Sequence, residues 1–539
     1  MSTLRSLCLF GAISVGALAC KGSTESPSSG AVPNTPLPQT PSTGTPRPTS
    51  PGTSTPPVTQ TPGPSTPTPP APAPEEEPSQ PQYSREWYVS PSGNDTASGT
   101  QAKPLRTIAK ALTLVGPGEV IRVQSGTYAE KLVIDSAVRA GTANAPITLR
   151  GEGNAKLVPT SSGWYMVMVQ RPYWRLENLE FDVRGARQVA VTFAGNSQGS
   201  VLADSELKNG AFGSAISTDS GARGVTIQNN HIHDFDQGST DSHGIVIAPT
   251  SRDITVRGND IHGNSGDSVQ CLGPEGFSND TPAKGVLVED NHLHDNRENA
   301  IDIKTCHDVT VRNNRMHGFT QSSTSRGEAV VVHYSAKNVV LENNDISDAA
   351  LGIAVGGNRV NAPPTNVSVR RNRIHGLKTP EGSAIRIENG VDVRVLHNTV
   401  TGTEGFALVV GHGTGGDSTR VAVRNNLFAT RNAVNLGPYV SELDLSANVY
   451  QPRASFTTGK FFVPGSSWVG DLLAAWKQQG QDATSSEAAN ALADVKTFAP
   501  GAGAVDKGMD LGLPYCGAAP DVGAVESDCP SAATASVDE

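Results

Sequence analysis

The sequence predicts an all-β chain: a right-handed parallel β-helix, a solenoid of about ten coils with a short N-terminal capping helix. Three observations carry that expectation. A short phrase recurs many times, apolar residues alternate with period two inside each copy, and no helix-length amphipathic segment lies between copies.

The elements follow in chain order. The first twenty of the 539 residues read as an export signal. Arg5 supplies the positive start, and Leu7 to Ala19 is an apolar run too short for a stable membrane span. Ala17-Leu18-Ala19-Cys20 resembles a bacterial lipobox, with Ala17 where Leu is usual. The resemblance implies lipidation of Cys20; the alternative is an ordinary signal peptide cut near Ala19. Residues 21–82 are almost wholly Pro, Ser, Thr and Gly and show no apolar periodicity. Such a stretch cannot offset its ordering entropy, so a disordered tether is expected, about 150–200 Å long if fully extended. Lys21 after the cysteine resembles the default sorting of Gram-negative lipoproteins. That implies an outer-membrane or cell-surface lipoprotein touching the membrane only through its lipid, with a secreted or periplasmic location as alternatives.

The solenoid is expected over residues 83–455. Its cap falls in Pro104 to Val115, where Ile108, Ala111, Leu112 and Val115 share one helical face and Gly116-Pro117-Gly118 ends the run. The repeated phrase is clearest at Val225-Thr226-Ile227-Gln228-Asn229-Asn230-His231-Ile232-His233-Asp234. Its anchoring asparagines are Asn230, Asn259, Asn291, Asn314, Asn344, Asn372, Asn398 and Asn426, spaced 23 to 32 residues apart. An amide at the same bend of every coil can bond along the stack and satisfy turn groups that the strands leave unpaired. A second short strand recurs in each copy, as in Gly244 to Ile247 and Ala300 to Ile303. Residues 456–539 are expected to be a C-terminal cap and tail, with a short helix at Trp468 to Gln478.

The formal charge of −10 argues against nucleic acid as a partner and gives no global steering toward a polyanion. Nothing in the composition calls for more than a monomer. Cys271, Cys306, Cys516 and Cys529 form an even set in an exported chain, which allows two disulfides; Cys516–Cys529 would close the tail and Cys271–Cys306 would join neighbouring repeats.

Outward residues of successive coils form columns about 5 Å apart along the axis. Aligning the second strands gathers His243, Asp267, Gln270, Asn299, Asp302, Lys304, Glu328 and His333 into one polar neighbourhood, flanked by Val246, Val331, Ala354 and Val409. Arg386 lies three coils past Lys304, about 14 Å away by coil spacing, too far to share one sugar with it.

Trp87-Tyr88-Val89-Ser90-Pro91-Ser92-Gly93-Asn94-Asp95, Pro104 to Ile108 and Gly126-Thr127-Tyr128 resemble the opening segment of bacterial parallel β-helix proteins, notably polysaccharide lyase family nine. Asn299 to Lys304 resembles the base-bearing strand of such lyases. The resemblance implies β-elimination on a uronate-containing glycan. Lys304 would be the base, and His243, Gln270, Asn299, Glu328, His333 and Arg386 would contact an acidic polysaccharide. The substrate carboxylate must be neutralised, usually by calcium on oxygen ligands or by Arg. Calcium would fall to Asp241, Asp267 and Asp302. Here the chain departs from the family, because Gly266-Asp267-Ser268-Val269-Gln270 keeps one carboxylate where the family has more. An acid–base hydrolase using Asp267 and Asp302 is a third chemistry.

Two non-lyase alternatives stand beside these. One is a non-catalytic surface lipoprotein that binds glycan or a protein partner, which the thinned aspartates favour. The other is a periplasmic metal-handling β-helix. His233, His262, His294, His317 and His375 share one column after the Asn, and imidazoles at that spacing suit a soft divalent metal.

Overall fold

The computed structural model describes residues 82–161, 163–219, 221–273, 281–323, 325–357, 362–380, 382–413, 416–452, 460–462, 473–478, 480–527 and 529. The expected export signal, Cys20 and all of the tether but Gln82 lie outside the described residues.

Each coil contributes one short strand to each of three parallel sheets. In chain order these are exemplified by Thr226–Gln228, His231–His233 and His243–Ile247. Among the described residues the first and second sheets hold 14 strands and the third holds 13, every strand but those at the two ends pairing with its counterparts one coil before and after. The Asn-marked coils are therefore extended at both ends by rungs that lack the phrase. Sheets continue past residue 455, in Lys460–Phe462 and Ser486–Glu487. Period-two alternation fills the interior: Ile232, Ile261, Leu293, Met316, Ile346 and Ile374 stack in one buried column.

The bend between first and second sheets is built as the phrase predicts. The residue before the anchoring Asn takes a left-handed conformation, as at Asn229 (φ 53°), Asp290 (φ 56°) and Asn343 (φ 56°). Asn and Asp tolerate that region better than other residues with a side chain. The anchoring Asn itself is buried. Asn259 Oδ1 accepts from both the backbone N–H and Nδ2 of Asn230, and the ladder repeats to Asn448. Asn448 is a further rung that the repeated phrase did not reveal.

The N-terminal cap is a helix only over Ile108–Leu112, shorter than the Pro104–Val115 run. Thr107 begins it, its hydroxyl accepting the Lys110 N–H. At the other end the helix spans Leu473–Gln478, and residues 468–472 lie outside the described residues. The tail then returns to the side of the solenoid, where Val522 is buried and the Gly523 N–H donates to the Asn425 carbonyl. Cys271 is joined to Cys306, tying adjacent coils of the third sheet, and Cys516 to Cys529 within the tail.

Candidate functional site

The third sheet exposes its polar residues in an open cleft of about 690 Å³. Lining it are Gln270, Asn299, Asp302, Lys304, Glu328 and His333, expected from the columns, and Asp241 and Arg386, expected from the family resemblance, together with Glu298, Ser325, Arg326, Tyr334, Glu388 and His412. Strand register explains the gathering. Gln270, Asp302, Val331, Ala354 and Arg386 are successive members of one outward column. Lys304 and His333 follow their strands by one residue on adjacent coils.

Asp302 lies between the two basic groups. Its Oδ1 is 2.7 Å from His333 Nε2, and its Oδ2 is 3.8 Å from Lys304 Nζ. Both members of the Lys304–Asp302 pair are largely covered, at 12% and 9% side-chain exposure, so solvent screens their attraction less than at an open surface.

The Arg386 guanidinium is held between two carboxylates: its Nη2 lies 3.3 Å from Oε1 of Glu328, on the strand two coils back. Glu388 holds the other edge of the guanidinium at 3.5 Å. Burial pushes the Glu328 carboxyl up from its ordinary value, against the pull of Arg326 and the other groups that lower it.

The expected calcium set does not come together. Asp241 pairs with Arg297 at 2.5 Å, and Asp302 is bonded to His333. Asp267 is fully buried: Oδ1 accepts from the backbone N–H and Nδ2 of Asn299, and Oδ2 accepts from Gln270 Nε2. His243 packs behind it, its Nδ1 accepting the Asp267 N–H at 2.9 Å. Burial alone would push the Asp267 carboxyl up; the pull of His243 and Asn299 outweighs it and holds the group below its ordinary value. Asp267 is therefore a structural rung beneath the cleft. It supplies neither a metal ligand nor a hydrolytic carboxylate, and His243 stands with it, outside the cleft lining. Alternation run back from the inward Val269 and Cys271 already puts Asp267 on the inner side.

A second polar site lies on the outer face of the second sheet. His233, His262, His294 and His317 form the expected column, with Ser347 and then His375 beyond. The column reading missed His231 and His292, which belong to the neighbouring outward column and alternate there with Asp260 and Arg315. Rings stack along the axis, with centroids 4.8 Å apart for His262–His294 and 5.0 Å for His294–His317. Burial, with the neighbouring imidazoles, holds His231, His262 and His317 below the ordinary histidine value and His292 at about 4. His294, bonded to Asp260 and Asp295, is raised.

Comparison with known proteins agrees with this architecture. The family described as "Right handed beta helix region" matches residues 180–318 and 243–428, and a family described only as "Protein of unknown function (DUF1565)" matches 91–134. Pectate lyase PEL9 of Emericella nidulans is 39% identical over 72 residues, 13% of this chain and 17% of that protein. The chain is a right-handed parallel β-helix with local sequence similarity to a pectate lyase. The uncharacterized protein YwoF of Bacillus subtilis is 23% identical over 308 residues, half of this chain and 64% of YwoF. The chain thus spans less than two thirds of either relative's length. Among solved structures, the PL6 family alginate lyase AlyGC shares the fold with a TM-score of 0.50, 17% identity and coverage of 66% of this chain and 51% of that one.

Proposed function

We propose that the third-sheet cleft binds a uronate-containing polysaccharide and cleaves it by β-elimination. The observation that carries this reading is that Lys304, Asp302, His333 and Arg386 line one open cleft. In the reaction, neutral Lys304 Nζ removes the proton α to the uronate carboxylate. The electron pair forms a carbon–carbon double bond as the glycosidic oxygen leaves and takes up a proton. The Arg386 guanidinium contacts a uronate carboxylate farther along the bound polymer. Because Asp241, Asp267 and Asp302 do not fit a calcium ion, no step is assigned to that metal.

The test is incubation with pectate, alginate and glycosaminoglycans, followed by ultraviolet absorbance of the unsaturated product. Product from one of these polymers supports the lyase reading, and none from any of them removes it. A second reading has its own support. Five carboxylates line the cleft (Asp241, Glu298, Asp302, Glu328 and Glu388) against three Lys or Arg side chains, Lys304, Arg326 and Arg386. That balance suits a glycan-binding lipoprotein without turnover, which retention on immobilised glycan with no product identifies. New reducing ends without the ultraviolet signal would instead move the chemistry to Glu328, whose buried carboxyl suits a general acid.

A further inference from the structure

We propose that the outer face of the second sheet binds two divalent first-row transition-metal ions, one in each of two tri-histidine groups. The groups are His231, His233 and His262, and His292, His294 and His317. In each, the ligand nitrogens all lie within 4.8 Å of one another.

The same constellation is built twice. His231-Ile232-His233 places two imidazoles on one outward face, since alternation turns Ile232 inward, and His262 joins from the next coil. Two coils on, His292-Leu293-His294 does the same and His317 joins from the following coil. The ring nitrogens of each group converge across adjacent coils to hydrogen-bond distance. Here His231 Nε2 lies 2.9 Å from His262 Nε2, and His292 Nε2 lies 2.8 Å from His317 Nε2. Around a tetrahedral ion with metal–nitrogen bonds of about 2.0–2.1 Å, neighbouring nitrogens stand about 3.3–3.4 Å apart. Each pair therefore needs to open by roughly half an ångström, within the reach of side-chain rotation on a rigid sheet.

Carboxylates orient the rings from behind. Asp234 holds His233 Nδ1 at 2.8 Å and Asp295 holds His294 Nδ1 at 2.8 Å, the outer-shell arrangement that fixes the tautomer of a metal-binding histidine. Asp260 lies between the groups, 3.0 Å from His294 Nε2, and offsets part of the added positive charge. Three imidazoles with an open fourth position select zinc, cobalt or copper over calcium or magnesium.

Titration of the chelator-stripped whole chain with Co²⁺ tests this, read as visible d–d absorption and by equilibrium dialysis. The expected result is two Co²⁺ per chain, both displaced by Zn²⁺. His262→Gln and His317→Gln should each remove one equivalent, and the double variant both. His231→Gln, which changes an exposed ring, should repeat the His262→Gln loss if partial burial of His262 compromises folding. His375→Gln, in the same column but bonded to Asp345 at 3.0 Å, should keep two. A total other than two, or binding that survives in the double variant, overturns the proposal.

Discussion

Asp267 shows how one side chain can carry the look of a site and the work of a scaffold. Its oxygens hold Asn299 and Gln270, and its own N–H is held by His243, so the floor of the cleft is fixed from below. Removing a buried, hydrogen-bonded carboxylate strands its donors, so Asp267→Ala should lower unfolding stability by about 3 kcal/mol in a denaturant titration at neutral pH. The sign with pH follows from its lowered carboxyl. Stability from this group is present above 3.8, its ordinary value, and is lost as pH falls through the lower folded-state value. The gap between Asp267→Ala and the intact chain should therefore narrow below about pH 4; a constant gap would contradict the account. The columns of the cleft were legible in the sequence because register follows from the repeated phrase. Arg386's pairing with Glu328 was not, since coil counting locates Cα atoms and not the ends of long side chains. His231 and His292 escaped notice because Asp260 and Arg315 interrupt their column.

The Asn ladder is the element that sets coil register. Asn344 Oδ1 accepts from the N–H and Nδ2 of Asn314, while its own Nδ2 donates to the Val311 carbonyl and to Asn372 Oδ1. Asn344→Ala removes the acceptor of the buried Asn314 N–H and the donor to the Val311 carbonyl on the preceding coil, and one of the two donors to Asn372 Oδ1 on the next, at a cost of about 3 kcal/mol. Loss of protection in amide exchange should centre on the coils of Asn314, Asn344 and Asn372. A change spread evenly along the solenoid would show that the ladder is not the local determinant. This element was the most legible of all, because one residue type at one bend recurs while everything around it varies. The caps were less so: Pro104 to Val115 has helical spacing throughout, yet Thr113 and Gly116 end the helix early.

Across the whole molecule, a rigid stack presents two outward faces of different chemistry, with acids and amides around Lys304 on the third sheet and histidines on the second. Sheet alternation lets these faces vary while the buried columns stay apolar, which is how one scaffold hosts unrelated functions. The expected export signal and tether carry a prediction of their own. Cys20→Ala should shift the chain from the membrane fraction to the soluble fraction after cell lysis, and equal partition of the two forms would remove the lipid anchor. The central claim concerns Lys304. Its most direct measurement is the initial rate of ultraviolet absorbance on the uronate polymer that the intact chain cleaves, compared between the intact chain and Lys304→Ala of matched stability. A base in the eliminating step predicts a fall of about 10²–10⁴-fold; a rate within a fewfold of the intact chain would show that the elimination runs without Lys304.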